Sequence, residues 1–221
     1  MKVGTDSIML GSWVHPKNAQ CILDIGTGSG LLGIMLAQKA QNVCIIDGLD
    51  IDAAAILQAK DNAKNCPWTQ RLTFHHVSLQ HFVCDKSYDL IVCNPPYFSI
   101  NITANKTYAA KSRFNARQTT ELDHATLIRA VTKHLSSSGR FCCVLPVDAA
   151  KIFIVDAKSV GLYCTRELQV QSKHNTHAIR LLLEFRRTNQ SKISELLSIY
   201  DHLGNYSKEY IALCKDYYLK F

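Results

Sequence analysis

Residues 21–33 read CILDIGTGSGLLG. A short apolar run ends in a turn with glycine at every second position, and helical spacing then begins at Leu31, Ile34, Met35 and Leu36. Glycines there let the backbone turn sharply and let a ligand approach the main chain. A strand that passes straight into a helix must cross a sheet face before the next strand can pair. The segment therefore opens a βαβ unit.

The rest of the chain repeats this alternation. Strands are predicted at 42–50, 71–77, 88–93 and 140–146, and helices at 31–40, 52–65, 121–135 and 148–161. Ser136 to Gly139 reads as a helix stop. Segments 162–171 and 177–187 look like a late strand pair, and one more helix falls within 207–219. Alternating strands and helices argue for an α/β fold with a mostly parallel sheet. The closing pair adds an antiparallel edge strand. At 221 residues, with 47% apolar residues, one domain over 1–221 is expected.

A second acid, Asp50, ends the strand after the glycine turn. An acid at that place accepts hydrogen bonds from ribose hydroxyls, so the ligand is nucleoside-like. NAD and S-adenosylmethionine both fit this pattern. The stretch VCNPPYFS at 92–99 separates them. Neither Pro95 nor Pro96 has an N–H for a sheet ladder, so the strand stops at Asn94. This is the carboxyl end of the strand, where open α/β sheets bind ligands. Pro95 biases Asn94 towards extended backbone and stiffens the turn. The Asn94 side-chain oxygen and the Pro95 carbonyl are then two close acceptors, which suits an –NH2 group with its two N–H donors. Holding both hydrogens draws the nitrogen towards tetrahedral geometry and frees its lone pair to attack a methyl sulfonium. Tyr97 offers a flat face on which a base can stack, worth about 1–3 kcal/mol. A base held in this way must be unpaired or flipped out.

Together, DIGTGSG, Asp50 and NPPYF resemble class I S-adenosylmethionine-dependent methyltransferases that modify amino groups. KVGTDSIMLGSW at 2–13, ARQTTELDHATL at 116–127 and GNYSKEYIALCKDYYLKF at 204–221 narrow the resemblance to the bacterial tRNA(Val) adenosine-37 N6-methyltransferase family. The resemblance covers most of the chain. It implies a Rossmann-like, mostly parallel seven-stranded sheet with helices on both faces. It implies S-adenosyl-L-methionine as cofactor, tRNA as partner through its anticodon arm, and a cytoplasmic location.

Site roles follow from the same resemblance. Gly26, Gly28 and Gly30 would line the methionine part of the cofactor, with Asp24 supporting their loop. Asp50 would hold the ribose, and Thr5 would touch the amino-acid end. Ser78 falls where many relatives place an Asp near the cofactor adenine. Asn94, Pro95, Pro96 and Tyr97 would hold the target amine and its base. The family usually carries a short segment ahead of KVGTD. Because this chain starts almost at that motif, weakened cofactor closure or RNA binding is expected.

Charge points to the same class of partner. Of the net charge of +7, five units fall within residues 101–140. The segment 99–118 holds Lys106, Lys111, Arg113 and Arg117 without an acid, and interleaves Tyr108 and Phe114. Such a segment suits phosphates and unpaired bases. No apolar run approaches the roughly 20 residues of a membrane helix, and no secretory signal is evident. The 9 cysteines form no C-x-x-C pair, and several lie inside apolar runs. They read as small buried hydrophobes, with no metal site and no disulfide framework. Two other readings remain at this point. One is a protein glutamine N5-methyltransferase acting on release factors, although such enzymes usually carry a helical domain ahead of the catalytic one. The other is an RNA-binding module that has lost catalysis.

Overall fold

The computed structural model describes residues 4–40, 43–95, 123–218 and 220. Helix α1 (Thr5–Trp13) leads into β1 (Cys21–Ile25), α2 (Leu31–Lys39), β2 (Ile45–Asp50), α3 (Ala53–Lys64), β3 (Leu72–His76) and β4 (Tyr88–Cys93). After the undescribed segment come α4 (His124–His134), β5 (Leu135–Pro146), α5 (Val147–Ser159), β6 (Tyr163–Lys173), β7 (Ala178–Arg186), β8 (Ile193–Tyr200) and α6 (Lys208–Cys214).

The sheet runs in the order β3-β2-β1-β4-β5-β7-β6-β8. Every neighbouring pair is parallel except those made by β7, which is antiparallel to both β5 and β6. Strand order reverses between β1 and β4. That reversal is a topological switch point, where open α/β sheets leave a crevice at the carboxyl ends of their strands.

Helices cover both faces, so the central strands are apolar on both sides. Ile22, Ile46, Leu90, Val92, Cys142 and Val144 point into one layer with residues of α1, α2 and α6. Leu23, Leu49, Ile91, Phe141, Cys143 and Leu145 point into the other with α4 and α5. The period of two along each strand makes this division. It also sends the adjacent Cys142 and Cys143 to opposite faces. All nine thiols are free, and each is buried or half-buried, in keeping with their reading as hydrophobes.

Three features depart from the sequence reading. Among the described residues the sheet has eight strands rather than seven. The added β8 pairs parallel with β6 on its outer side, which leaves the antiparallel β7 two places in from the edge. The helix stops ahead of Ser136 as read, at His134, but segment 136–139 is already strand rather than a loop. β5 begins at Leu135, directly after α4, and pairs Leu135 with Tyr88 through a register shift. Gly139 is fitted there, because an added Cβ would stand 2.9 Å from the Tyr88 carbonyl oxygen.

The third departure is α1. Ile8 to Trp13 are all buried, so the segment shows no polar face by which a helix can be read. Its C-terminal end is fixed from outside. Lys39 Nζ donates to the carbonyls of Gly11, Ser12 and Val14 at 2.9, 2.6 and 2.8 Å. These are the orphan acceptors of a helix end, and a cation there also suits the helix dipole. Among the described residues, no helix is long and apolar enough to cross a membrane.

Candidate active site

The carboxyl ends of β1, β2 and β4 meet at the switch point, and most of the expected site residues that the structure describes gather there. The glycine loop joins β1 to α2. Gly26, Gly28 and Gly30 have φ of 70°, 55° and 82°, the left-handed region that side chains rarely enter. The loop is braced from two sides. Asp50, at the end of β2, accepts from the Gly28 N–H at 2.8 Å through one carboxylate oxygen and from the Asp52 N–H at 2.9 Å through the other. Asp24, at the end of β1, accepts from Thr27 Oγ1 at 2.6 Å and from the Gly33 N–H at 3.1 Å.

Both of those Asp24 bonds go to one oxygen. The other, Oδ1, is buried and has no hydrogen-bond partner among the described residues. Burial pushes the Asp24 carboxyl up to about 7, against the opposing pull of Thr27 and Gly33. The loop also leaves room. A Cβ on Gly26 would meet nothing within 4 Å, whereas one on Gly30 would stand 2.9 Å from Phe74 and 3.1 Å from Ala59. Gly30 is packed from below, and Gly26 faces open space. The loop thus offers open main chain at Gly26, while Asp24 keeps a buried carboxylate oxygen that has no partner among the described residues.

Next to Asp50 lies a cleft of about 610 Å³ lined by Ile51, His76, Val77, Ser78, Gln80 and His81. That size suits a small-molecule site. Ser78 stands on its wall, and its Oγ shares a 2.7 Å hydrogen bond with His81 Nδ1.

Asn94 follows β4 and is half-buried, and Pro95 is buried. Asn94 Nδ2 donates to Ser7 Oγ at 2.8 Å. With the amide nitrogen committed, Oδ1 is left as an acceptor, and the carboxamide is fixed in one orientation. Ser7 lies in the first turn of α1. Its neighbour Asp6 accepts from Arg180 Nε of β7 at 3.0 Å. Helix α1 is thus tied to the Asn94 turn and to the neighbouring sheet. Thr5, named from the sequence, is exposed at the start of α1, and Ser7 is the residue that reaches the site. The KVGTDS stretch marks the right segment but gives no sign of which hydroxyl bonds to Asn94. Pro96, Tyr97, Lys106, Lys111, Arg113 and Arg117 lie outside the described residues.

The fold and loop define a class I, Rossmann-like methyltransferase. A predicted O-methyltransferase from Agrobacterium tumefaciens superposes with a TM-score of 0.73 over 96% of each chain at 14% identity. An N-methyltransferase, NodS from Bradyrhizobium japonicum, solved in complex with S-adenosyl-L-homocysteine, gives a TM-score of 0.54 at 17% identity over 78% of this chain and 80% of its own. Residues 2–148 match the methyltransferase small domain. All of the chain aligns with the tRNA1(Val) (adenine(37)-N6)-methyltransferase of Pseudoalteromonas atlantica, at 46% identity and over 93% of that relative. The enzymes of the same name from Trichodesmium erythraeum and Haemophilus influenzae are 38% and 37% identical, again across the whole chain and over 92% and 93% of their lengths. The chain belongs to this tRNA1(Val) (adenine(37)-N6)-methyltransferase family. The resemblance read from DIGTGSG, NPPYF and the flanking segments is borne out.

Proposed function

We propose that the chain transfers a methyl group from S-adenosylmethionine to N6 of adenosine 37 in tRNA1(Val), in the cytoplasm. Beyond family membership, the observation that carries this reading is the Asn94 carboxamide, held by Ser7 at the carboxyl end of β4 beside the glycine loop. The cofactor supplies an electrophilic methyl on a sulfonium. Asn94 Oδ1 and the Pro95 carbonyl take the two amine hydrogens of the target base. That would free the lone pair for the methyl group that the bound cofactor supplies, and one of the two held protons would pass by way of Asn94 Oδ1 or the Pro95 carbonyl to water. Tyr97 stacks on the flipped base. Lys106, Lys111, Arg113 and Arg117 take phosphates of the anticodon arm. Much of the acceleration is positional, which fits a site with no general base among its named groups.

The residues at the glycine loop fit the cofactor. Gly26 leaves the main chain open to the methionine part, and Asp50 offers further lone pairs to ribose hydroxyls. Asp24 Oδ1 would receive the cofactor ammonium. This last pairing makes cofactor affinity depend on pH. Asp24 in the free protein is protonated below about 7, and a bound ammonium favours the ionised form. Binding therefore releases a proton at low pH, and affinity rises as pH climbs from about 5.5 to about 8, approaching tenfold per unit at the acid end. Calorimetry in buffers of different ionisation enthalpy checks this. Asp24→Asn should flatten the profile, and an unchanged profile in that variant would remove Asp24 from the cofactor site.

The direct test is transfer from labelled S-adenosylmethionine into tRNA lacking the modification, followed by nucleoside analysis. N6-methyladenosine at position 37 of tRNA1(Val) is the expected product. Label appearing instead on a glutamine of a release factor would replace this reading with the protein-modifying one.

A further inference from the structure

We propose that the hairpin joining β6 to β7 is a second RNA-binding element, one that takes substrate phosphates beside the catalytic turn. The proposal rests on the reading of the chain as a tRNA methyltransferase.

The hairpin reads SKHNTHAIR over 172–180 and contains no acid. Residues 173–177 are all exposed. Lys173, His174 and His177 make no ion pair among the described residues, whereas Arg180 is engaged with Asp6. Strand β6 has the same direction as β4, so its carboxyl end and the hairpin lie on the catalytic edge of the sheet. Register gives the height. Cys93 pairs with Cys143 on β5, and Pro146 on that strand pairs with Arg180. Arg180 is therefore level with a point about two residues past Asn94, or roughly 7 Å further along the strand direction. The tip beyond Arg180 projects further still, towards the side from which a polynucleotide must approach.

The tip is also preorganised. Asn175 takes a left-handed φ of 59°. Thr176 Oγ1 donates to the Lys173 carbonyl at 2.7 Å and accepts from its N–H at 3.3 Å. The hairpin base is tied through Arg180 to α1, whose Ser7 aligns Asn94. A fixed basic tip at this height loses little ordering entropy on binding. Lysine and imidazole N–H groups suit phosphate oxygens, and the tip carries no Phe, Tyr or Trp.

Titration of labelled, unmodified tRNA1(Val) over a salt series tests the proposal on the full chain. For Lys173→Glu combined with His177→Glu, the tRNA Kd should weaken at least about tenfold near 0.1 M salt. The slope of log Kd against log salt should fall by about one for each phosphate that is no longer neutralised. The neutral pair Lys173→Ala with His177→Ala should weaken binding by about two- to fivefold. Cofactor affinity by calorimetry should stay within about twofold in both, which shows that the fold is kept. An unchanged Kd and slope in both variants, with the unaltered chain still methylating tRNA, would overturn the hairpin alone. If the unaltered chain neither binds nor methylates tRNA, the enzyme reading and the hairpin fall together.

Discussion

Asn94→Ala should lower turnover by about 10²–10³-fold, the range seen when one preorganised hydrogen-bonding group is removed from a reacting centre. Cofactor affinity should stay within about twofold, because the Asn94 side chain bonds to Ser7, while the glycine loop is held separately by Asp50. The expected split follows from the role proposed for Asn94. Its Oδ1 is left to receive an amine hydrogen because its Nδ2 is occupied by Ser7 at 2.8 Å. Removing Ser7 instead should cost less. Ser7→Ala frees the carboxamide to rotate without deleting it, so about a tenfold fall in kcat with little change in the KM for cofactor is expected. Ser7→Thr retains the hydroxyl and should recover most of that loss. Single-turnover rates with saturating cofactor measure all three variants. Asn94→Ala turning over at the parental rate would remove the carboxamide from the mechanism.

Two glycines of one loop should fail in different ways. Gly30→Ala forces a side chain into left-handed backbone at φ 82° and drives its Cβ to 2.9 Å from Phe74 and 3.1 Å from Ala59. Strain of about 1–2 kcal/mol adds to an overpacking cost of about 1–3 kcal/mol. The melting temperature should drop by roughly 4–20 °C, at about 2–4 °C per kcal/mol for a chain of this size. Gly26→Ala meets no atom within 4 Å, so only the left-handed strain applies, and the melting temperature should fall by no more than about half as much. Its methyl group, however, enters the open cradle. Cofactor affinity should therefore fall at least about tenfold in Gly26→Ala. Thermal unfolding with and without cofactor separates the two effects: the Gly30 variant starts low, whereas the Gly26 variant starts near the parent and gains little from ligand. Equal behaviour of the two would mean that the cradle is not where the cofactor lies.

The parts of this fold that repeat a simple period were legible in the sequence. Strands β1 and β4 are apolar on both faces, and α2, α3, α4 and α5 carry recognisable stripes, so their placement followed from residue spacing. The positions of the glycine loop, Asp24, Asp50 and the Asn94 turn at strand ends were legible because glycine, acid and proline at such places each carry a backbone or hydrogen-bonding meaning. Elements whose pattern is set by tertiary neighbours were not. Helix α1 is buried along most of its length, against α2 and α6, and has no polar stripe. Strand β8 buries only Leu197, Ser198 and Ile199, while Ile193 and Leu196 stay exposed, so it shows no clean alternation. Ser136 to Ser138 look like a stop until Asp89 accepts from Ser136 Oγ at 3.3 Å and the segment joins the sheet. The Ser7–Asn94 bond joins residues 87 positions apart, a pairing that no local spacing encodes.

That pairing has a consequence during synthesis. The turn at Asn94 and the glycine loop leave the ribosome early, but α1 packs in the same apolar layer as Tyr210 and Cys214 of α6. Arg166 of β6 also lies over the Trp13 ring at 4.5 Å, and Arg180 of β7 holds Asp6. A nascent chain that has emerged only through β5 therefore has its cofactor loop but not the supports that hold α1 against the catalytic turn. On the proposed reading, competence to methylate should arrive late, once the C-terminal strands and α6 have closed over the N-terminal helix, and chains terminated after β5 should fail to methylate tRNA even where their first half has folded.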